Sequence, residues 1–318
     1  MIRLSEGSAI ELGLINKSND IAPTTAYIMI GDKCNNKCSF CSQSAESSSR
    51  KDKLSRVIWP QYSKENILKA LIEYKGKYIK RICIQSMYSD EAHSEVEDFI
   101  KYIKKDINIP ISLSAKIEKI DDVDRFFSYG IDKIGIAIDV ANKELYKDIK
   151  GGNFDDKFKF IVEASKKYPN KISTHIIVGL GETHEEICDL YYKLKESDIT
   201  ISLFAFTPVK GTKMENTKQP PIRDYRRIQL MTYMIDRGYS RDNFKFKDGY
   251  ISLIKIDRDV KEYIKKGLPF EIRGCKDCNR PYYNERPGKT IYNYSLKLNK
   301  IQTELALKEL DEKIIKES

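Results

Sequence analysis

Short apolar runs alternate along this chain with longer segments in which apolar residues recur at the helical period. The apolar runs predict strands at residues 26–30, 79–85, 111–115, 133–139, 172–179 and 199–206. The segments between them predict helices at residues 64–76, 94–106, 120–129, 153–167 and 183–197. Alternation of this kind is typical of parallel strands joined by right-handed helical crossovers. The pattern therefore predicts an α/β fold, a partial or complete (βα) barrel of the triosephosphate-isomerase (TIM) type.

Alternation within the strands indicates which side chains face the interior of this barrel. In the run 133–139 the isoleucines share one face, and Asp139 lies on the other face with Gly135 and Ala137. The same rule turns these small or polar residues inward: Cys83, Gln85, Ser112, Ser114, Ser173 and His175. A purely structural barrel fills this space with branched apolar side chains, so the interior is predicted to hold a ligand. For His175, contact with such a ligand and a purely hydrogen-bonding role are both open.

The chain of 318 residues is long enough for one large barrel or two smaller domains. We divide it into a lead-in (residues 1–25), a barrel core (26–215) and a C-terminal part (216–318) that completes the barrel and closes its mouth. Apolar residues make up 41% of the chain, which is enough for a core, and the 32% of charged residues indicates a well-solvated surface. No apolar stretch approaches the ~18–20 residues of a membrane span, and residues 1–19 lack a signal-peptide core. We therefore expect a cytoplasmic protein.

The net charge is positive, because 56 lysines and arginines stand against 47 aspartates and glutamates, which gives +9. Such an excess suits an acidic partner, either a nucleic acid or an acidic carrier protein. The basic residues are spread along the chain with no concentrated patch, which favours a lysine-rich solvated surface over specific nucleic-acid binding. We therefore predict neither a membrane nor a nucleic-acid partner.

The chemistry of this sequence centres on residues 31–44, which follow the first predicted strand. Three of the seven cysteines, Cys34, Cys38 and Cys41, stand here in a C-x3-C-x2-C spacing. An odd number of cysteines does not predict a disulfide framework and indicates ligands plus a leftover. Thiolates on one short loop can hold an iron–sulfur cluster, and three ligands for four irons leave one iron open. The alternative is a structural zinc knuckle, but zinc usually takes four ligands and no further Cys or His lies nearby.

This spacing, with Phe40 just before the third cysteine, resembles the signature of the radical S-adenosylmethionine (SAM) superfamily. The resemblance implies that Cys34, Cys38 and Cys41 are the catalytic residues that hold a 4Fe–4S cluster, whose open iron binds SAM. One electron would cleave SAM to methionine and a 5′-deoxyadenosyl radical. A low-potential donor such as ferredoxin or flavodoxin is the expected source of that electron. The implied fold is a TIM-type barrel of the radical SAM kind, with its reactive groups at the C-terminal ends of the strands.

Within that superfamily, the strand ends are similar to those of biotin synthase and its relatives over residues 25–215. Residues 38–44 resemble that group's cluster loop, and residues 81–88 stand where the group has a motif that touches the methionine amino group. Asp139 matches an acid that contacts the ribose, and residues 177–182 match an adenine motif whose glycines allow close approach of the ligand. By this resemblance the cofactor-binding residues are Phe40, Gln85, Ser114, Asp139, Gly179, Gly181 and Glu182.

The inward strand positions also show a departure from biotin synthase. That enzyme holds a second cluster, its sulfur source, with inward cysteines on three strands and an arginine. Here Cys83 matches the first of those cysteines, but Ser112 and Ser173 stand at the other two positions. Because two thiolates are missing, a second cluster of the biotin-synthase type is not expected.

The C-terminal block 270–287 offers another cysteine pair, Cys275 and Cys278. The block resembles the split lipoyl synthases, two-protein systems of archaea and some anaerobes in which two related radical enzymes share the sulfur insertions. The resemblance implies an auxiliary iron–sulfur cluster on Cys275, Cys278 and Cys83, with a paired radical SAM paralogue as partner. To bring the pair near Cys83, the tail after Pro269 must fold back over the barrel mouth. A zinc turn and a redox pair are the alternatives for the two cysteines, although a chain with three histidines offers few further zinc ligands.

Three further residues carry weaker signals. Cys188 lies in the predicted helix 183–197 and is interpreted as a small buried hydrophobe. For Tyr282 and Tyr283, covering a cluster or substrate and plain core packing are both open.

Sulfur insertion at an unactivated carbon needs a radical that no protein side chain supplies, so the cofactor carries that step. The leading hypothesis is a radical SAM sulfurtransferase of the lipoyl synthase type that acts on an octanoyl chain carried by a lipoyl carrier protein. The alternative is a biotin-synthase-like radical SAM enzyme acting on a small free metabolite. A radical enzyme that modifies RNA is a third possibility, which the lack of an attached RNA-binding module disfavours. A non-enzymatic cluster scaffold would not need the SAM-binding motifs.

Overall fold

The structure, a computed structural model, describes residues 1–285 and 288–317, so Arg286 and Pro287 of the block 270–287 and Ser318 lie outside it. The strands are β1 (Ile2–Leu4), β2 (Thr25–Ile30), β3 (Lys53–Leu54), β4 (Val57–Ile58), β5 (Arg81–Ser86), β6 (Ile111–Ser114), β7 (Lys133–Gly135), β8 (Ile172–Val178), β9 (Thr200–Ala205), β10 (Phe244–Lys247), β11 (Tyr250–Ile256) and β12 (Ile315–Glu317). The α-helices are α1 (Glu6–Glu11), α2 (Lys64–Glu73), α3 (Asp90–Ile103), α4 (Ile120–Ser128), α5 (Lys143–Ile149), α6 (Phe154–Lys167), α7 (His184–Lys195), α8 (Ile222–Ile235), α9 (Arg258–Lys265) and α10 (Lys300–Leu310). Short 3-10 turns lie at Arg241–Asn243, Leu268–Phe270 and Glu312–Ile314. Over the described ranges, no helix is both long and apolar enough to cross a membrane.

Seven of the described strands form the main sheet, in the order β1-β2-β5-β6-β7-β8-β9. The strands from β2 to β9 in this order are parallel, whereas β1 pairs antiparallel with β2, with Ile2 opposite Ile30. Within residues 1–285 and 288–317, no pairing joins β9 to β1, so the barrel is open on one side. The prediction of an α/β fold with a partial TIM-type barrel is confirmed. The lead-in 1–25 contributes β1 and α1, which the hydrophobic pattern did not predict.

Strand alternation separates the helix-packed side chains from those of the interior. Ile82 and Ile84 of β5 are fully buried in the apolar core, together with Phe99 of α3. Cys83 and Gln85, between and after them, line the barrel interior. Burial of one isoleucine side chain contributes about 1.5–3 kcal/mol, so a one-residue slip of β5, which would exchange the two faces, is strongly disfavoured.

Side-chain caps determine where several helices begin. Ser63 caps α2 and Ser89 caps α3, each through a hydroxyl that accepts a backbone N–H of the first turn. Because of the Ser89 cap, α3 begins at Asp90, earlier than predicted. Thr183 and Glu186 form a reciprocal capping box at the start of α7.

The strand β7 ends at Gly135, well before the predicted end of this strand at Asp139. Beyond this point backbone pairing with β8 continues only in part, with a bridge at Asp139, and Ile138 N is bonded instead by the Thr174 side chain. Its Oγ1 accepts a hydrogen bond from Ile138 N at 3.0 Å and donates one to Ile136 O at 2.7 Å. The chain then turns at Asp139, whose φ of 62° lies in the left-handed region.

A fully buried arginine of α8 connects this helix to α10 and to the segment that precedes α10. Arg226 pairs with Glu309 of α10 at 2.8 Å and donates to the main-chain oxygens of Ile291 and Tyr292 at 2.6 and 2.7 Å. Breaking a buried ion pair typically costs about 3–5 kcal/mol, so this network holds α10 and the preceding segment against the barrel. The strands β10, β11 and β12 form a separate sheet in this order.

The tail between α9 and α10 closes the barrel at the amino-terminal ends of its strands. The main-chain oxygen of Asp277 accepts hydrogen bonds from the hydroxyls of Thr24 and Thr25 at 2.8 and 2.7 Å. That of Lys276 accepts one from Arg81 Nε at 3.0 Å. These contacts lie where β2 and β5 begin, so the cysteine pair enters the barrel from the end opposite its mouth. Further along the tail, Asn284 Nδ2 donates to Ala205 O at 2.9 Å at the end of β9, so the extension also reaches the mouth. The mouth is already lined by the three-cysteine loop, and the strand starts offer the donors that the tail needs.

Candidate functional site

A cavity of about 880 Å³ fills the inside of the barrel and opens at the carboxyl ends of the strands. The loop 34–44 forms part of its rim, the inward strand residues form its wall, and the tail forms its floor. The cavity is within the size range of small-molecule sites. Cysteines dominate its chemistry, since six of the seven line it: Cys34, Cys38, Cys41, Cys83, Cys275 and Cys278.

The loop with the first three cysteines is held by backbone hydrogen bonds to two neighbouring loops. Asn35 N donates to Tyr88 O at 2.9 Å, and Ser39 N donates to Ile149 O at 2.7 Å. Within the loop, Cys41 N donates to the carbonyl of Cys38 at 3.1 Å. Hydrogen bonds to other segments therefore fix the shape of the loop that places these cysteines at the cavity.

Cys38 and Cys41 of this loop are half-buried. Burial raises the pKa of Cys38 to about 11, with the nearby Lys150 ammonium acting in the opposite direction. Burial raises the pKa of Cys41 to about 12, and the neighbouring Cys38 adds to the shift. Without a metal both side chains are neutral thiols near pH 7. A metal that binds here must displace their protons.

The donor set fits a multi-iron cluster better than a single zinc ion. Across the described residues, no three His, Cys, Asp or Glu side chains converge on a point where one metal ion would be held. A tetrahedral zinc site requires such convergence. The irons of a cluster stand apart, and thiolates on one loop can each bind a different iron. Cys34, Cys38 and Cys41, on one loop that lines the cavity, are thus suited to hold a 4Fe–4S cluster.

Asp139 lies in the cavity wall between the side chains of Lys150 and His175. Its Oδ2 lies 2.6 Å from Lys150 Nζ, and its Oδ1 lies 2.6 Å from His175 Nε2. Burial alone would raise the pKa of Asp139, but the charges and hydrogen bonds of Lys150 and His175 more than offset it and hold this pKa far below its usual range. The pKa of Lys150 is raised, because the attraction of Asp139 outweighs the lowering by burial. The predicted ribose-binding acid therefore already has strong partners within the chain.

The cofactor-binding residues expected from the resemblance divide into two groups. Phe40, Gln85, Ser114 and Asp139 line the cavity.

The others, Gly179, Gly181 and Glu182, do not line it. The Glu182 carboxylate instead accepts hydrogen bonds from Gly179 N at 2.7 Å and Leu180 N at 3.0 Å, which braces the turn after β8. Gly179 has φ +102°, and a Cβ there would lie 2.8 Å from Pro220. Packing within the chain thus explains Gly179, whereas Gly181 is explained by its φ of +119°.

The tail brings its two cysteines to the interior of the barrel beside Cys83. Cys275 Sγ lies 4.0 Å from Ser173 Oγ, and Cys278 Sγ lies 3.4 Å from the hydroxyl of Tyr27. Burial raises the pKa of Cys83 far above its usual range, and the nearby Cys278 and Cys275 raise it further. These thiols occupy one region at the bottom of the cavity, below the three-cysteine loop.

The structure also brings into the cavity residues that the sequence did not single out. Lys150 follows a short helix and precedes two glycines, a pattern that many surface lysines share, so nothing in the sequence distinguished it. Arg280 is nearly buried, lies with its guanidinium 4.0 Å from the centre of the Phe204 ring, and donates to the carbonyl of Arg273 at 3.3 Å. In the described part of the chain no carboxylate forms an ion pair with it.

The structure places the three residues with weaker sequence signals in different surroundings. Tyr283 lines the cavity and packs edge-on against Phe204 at 5.3 Å, whereas Tyr282 does not line it. Cys188 is fully buried on α7, outside the cavity, as expected for a small hydrophobe.

Comparison with known families and proteins agrees with this arrangement. The sequence profile described as the radical SAM superfamily matches residues 28–194. The chain is 31% identical over 208 residues to a protein named biotin synthase from Methanococcus aeolicus, covering 62% of this chain and 60% of that protein. It is 24% identical over 259 residues to the apicoplast lipoyl synthase of Plasmodium falciparum, covering 77% of this chain and 57% of that protein. The chain thus spans little more than half the length of these relatives.

Solved structures with the same fold have low sequence identity to the chain. Methylornithine synthase superposes with a TM-score of 0.52 at 15% identity, covering 74% of this chain and 65% of that one. The [FeFe]-hydrogenase maturase HydG superposes with a TM-score of 0.54 at 12% identity, covering 66% of this chain and 49% of that one. These similarities concern the fold.

Proposed function

Because the chain belongs to the radical SAM superfamily, we propose that it is a sulfurtransferase of the lipoyl synthase type, which inserts sulfur into unactivated C–H bonds of a protein-bound octanoyl chain. Members of this superfamily use a 4Fe–4S cluster and SAM. Held by Cys34, Cys38 and Cys41, such a cluster would supply the electron that cleaves SAM to a hydrogen-abstracting radical. A reductant must deliver that electron, and a ferredoxin or flavodoxin is the proposed donor.

The observation that supports sulfur insertion is the second group of thiols in the same cavity. Cys275 and Cys278 approach the interior beside Cys83, where they would hold an auxiliary iron–sulfur cluster as sulfur source. Cys275 approaches Ser173, the strand position at which the resemblance to biotin synthase would have led us to expect a thiol. In this proposal the tail supplies the ligands that the strands lack.

The cavity wall also suits an acyl chain. Apolar side chains such as Ile117, Ile136 and Phe160 line it together with the two cysteine groups. An octanoyl chain on a lysine arm would enter at the mouth, because the tail blocks the direct route from the other end. The carrier protein would dock outside, and a related radical SAM protein would share the two sulfur insertions.

A second candidate, a biotin-synthase-like reaction on a small free metabolite, is favoured by one observation. Arg280 is a nearly buried cation in the cavity, with no carboxylate paired to it among the described residues. Glu285 lies close enough to interact with the charge of Arg280 without forming an ion pair, so a small acid substrate would be its direct ionic partner. The relative named biotin synthase is compatible with this second candidate.

The double variant Cys275→Ala/Cys278→Ala tests the proposal. After anaerobic reconstitution with iron and sulfide it should keep roughly half the iron of the parent, because one of two clusters remains. It should still form 5′-deoxyadenosine but place no sulfur on an octanoylated carrier peptide, as measured by mass spectrometry. Cys188→Ala, which removes a thiol outside the cavity, is the matched control and should behave as the parent.

Two outcomes would contradict this function. Full iron with loss of zinc in the double variant would mean that the pair is a zinc turn and would leave a single-cluster radical enzyme. Sulfur insertion into a small acid but not into the carrier peptide would favour the second candidate, and Arg280→Gln should then raise the KM for that acid.

A further inference from the structure

A second cavity, of about 570 Å³, lies at the amino-terminal ends of the strands. We call it the lower cavity. It is lined by the end of α7, by residues 198–201 at the start of β9, and by tail residues from 272 to 279. Among the described residues, the lower cavity shares two lining residues with the interior cavity, and these are Cys275 and Cys278. The pair therefore forms a partition with one side toward the barrel interior and the other toward the opposite face of the molecule.

The other thiols do not have this double access. Cys83 and the three loop cysteines line the interior cavity but not the lower one. The cationic side chains of the lower cavity are partly neutralised, since Lys195 and Arg273 both pair with Asp236, at 3.2 and 2.6 Å. Neither small cations nor small anions would meet a strong repulsive field there.

We propose that the lower cavity is a second entrance to Cys275 and Cys278, through which ferrous and hydrosulfide ions reach the pair while cofactor and substrate occupy the mouth. This proposal rests on the proposed function, in which sulfur held at the pair is consumed. When a ferrous ion binds, each thiol forms one S–Fe bond and releases one proton, and no electron is transferred. Hydrosulfide then adds to the bound iron as a ligand, again without a change of oxidation state.

Thiol labelling of the full-length, metal-free chain tests this entrance. Lys195→Trp places a large side chain in the lower cavity, and Lys193→Trp places the same side chain on the solvent face of the same helix. Iodoacetamide labelling, followed by peptide mass spectrometry, should be slowed roughly tenfold at Cys275 and Cys278 in Lys195→Trp, because thiol modification follows access. The rates at Cys34, Cys38 and Cys41 should not change, and Lys193→Trp should behave as the parent. Lys195→Gln, which removes the charge without adding bulk, should also label at the parent rate.

A plug at the mouth gives the opposite pattern. Lys157 lines the interior cavity near its mouth, and Lys157→Trp should slow labelling of the loop cysteines more than that of the tail pair. If Lys157→Trp slows the tail pair as much as the loop cysteines while Lys195→Trp has no effect, the pair is reached from the mouth and the proposal is wrong. Equal rates in all variants would show labelling through unfolding, which also overturns it.

Metal loading provides a second measurement. In a variant with Cys34, Cys38 and Cys41 all replaced by Ala, ferrous ion, ferric ion and sulfide added together supply both oxidation levels of iron that a cluster contains, and a cluster can then form only at the auxiliary thiols. The growth of cluster absorbance should be slower when Lys195→Trp is added and unchanged with Lys193→Trp. Equal growth with both would contradict the entrance. Neither measurement uses a substrate, so their results do not depend on whether the protein inserts sulfur. Conversely, a negative result for the entrance would not contradict sulfur insertion.

Discussion

The Sγ atom of Cys275 lies 4.0 Å from the Oγ atom of Ser173, although the two residues are 102 positions apart in the sequence. Ser173 faces inward from β8, and Cys275 reaches it from the tail that closes the amino-terminal end of the barrel. A thiol from a distant segment thus stands beside a strand position that carries only a hydroxyl.

This contact predicts that the thiol can be moved to the strand. Cys275→Ala should lower the iron bound at the auxiliary site, and adding Ser173→Cys should restore part of it, because the new Sγ would start within a few ångströms of the lost one. Iron content after anaerobic reconstitution is the measurement. Ser128→Cys, the same substitution at an exposed position of α4 outside the cavity, is the control and should restore nothing. If Cys275→Ala alone keeps all its iron, Cys275 is not a ligand.

Replacing Cys34, Cys38 or Cys41 by Ala should abolish reductive cleavage of SAM. Each of these cysteines is expected to hold a different iron of one cluster, so the loss of one leaves the cluster incomplete. Formation of 5′-deoxyadenosine under anaerobic conditions is the measurement, and Cys188→Ala should retain the parent rate. Normal product formation by any of the three loop variants would contradict the assignment of the cluster to this loop.

The buried pair of Asp139 and Lys150 should dominate local stability. Asp139→Asn leaves the Lys150 ammonium buried without its partner and should cost about 3–5 kcal/mol in the free energy of unfolding measured with urea. The double variant Asp139→Asn/Lys150→Met should cost less, since neither charge remains. The exposed pair of Lys143 and Asp155 is the control, and Lys143→Met/Asp155→Asn should change stability by less than about 1 kcal/mol.

The same pair predicts the response of stability to acid. Because the pKa of Asp139 is lowered in the folded protein, its ion pair contributes stability above the unfolded pKa of about 3.9 and loses it as the pH falls toward the folded value. From pH 5 downward, the unfolding free energy of the parent should therefore fall more steeply than that of Asp139→Asn/Lys150→Met. Parallel pH profiles would show that the carboxylate is not held by this pair.

Gly211 is expected to be essential for the position of the loop that follows the three cysteines. Its carbonyl accepts hydrogen bonds from Ser48 N at 2.9 Å and from the Ser47 hydroxyl at 3.1 Å. It has φ +87°, and a Cβ there would lie 2.6 Å from the backbone nitrogen of Ser49. Gly211→Ala should therefore displace this loop and lower the amount of cluster bound.

Gly238→Ala is the matched control for this substitution. Gly238 has φ +84°, but a Cβ there meets nothing within 4 Å, so the cost should be limited to the roughly 1–2 kcal/mol of the left-handed backbone. Urea unfolding and iron content are measured for both variants. A larger loss in Gly211→Ala than in Gly238→Ala reports the clash with Ser49, because both variants share the backbone strain. Equal losses in both variants would show that contact with the loop is unimportant.

The strands and their faces could be predicted from the sequence because both depend on local alternation. The period of two along β5 is enough to turn Cys83 and Gln85 away from the helices, whatever the rest of the chain does. The same holds for Ser112 and Ser173. The spacing of Cys34, Cys38 and Cys41 is likewise local, since one short loop determines which thiols can bind together.

Contacts between distant segments were decided only by the tertiary structure. No periodicity indicates that the tail runs beneath the strand starts, because that path depends on hydrogen-bond donors of Thr24, Thr25 and Arg81 that become neighbours only after the sheet has formed. For the same reason, the sequence did not indicate that Cys275 and Cys278 lie at the amino-terminal ends of the strands.

The partners of Asp139 show the same limit. The inward side of Asp139 follows from parity, but Lys150 reaches it from the end of α5 and His175 from β8. A charge that is buried and paired in the fold is indistinguishable in sequence from one that is solvated, because burial is a property of the packed elements. The sequence alone therefore determined the barrel, its inward residues and the cysteine loop, and the packing of the chain decided which charges pair and that Cys275 and Cys278 separate two cavities.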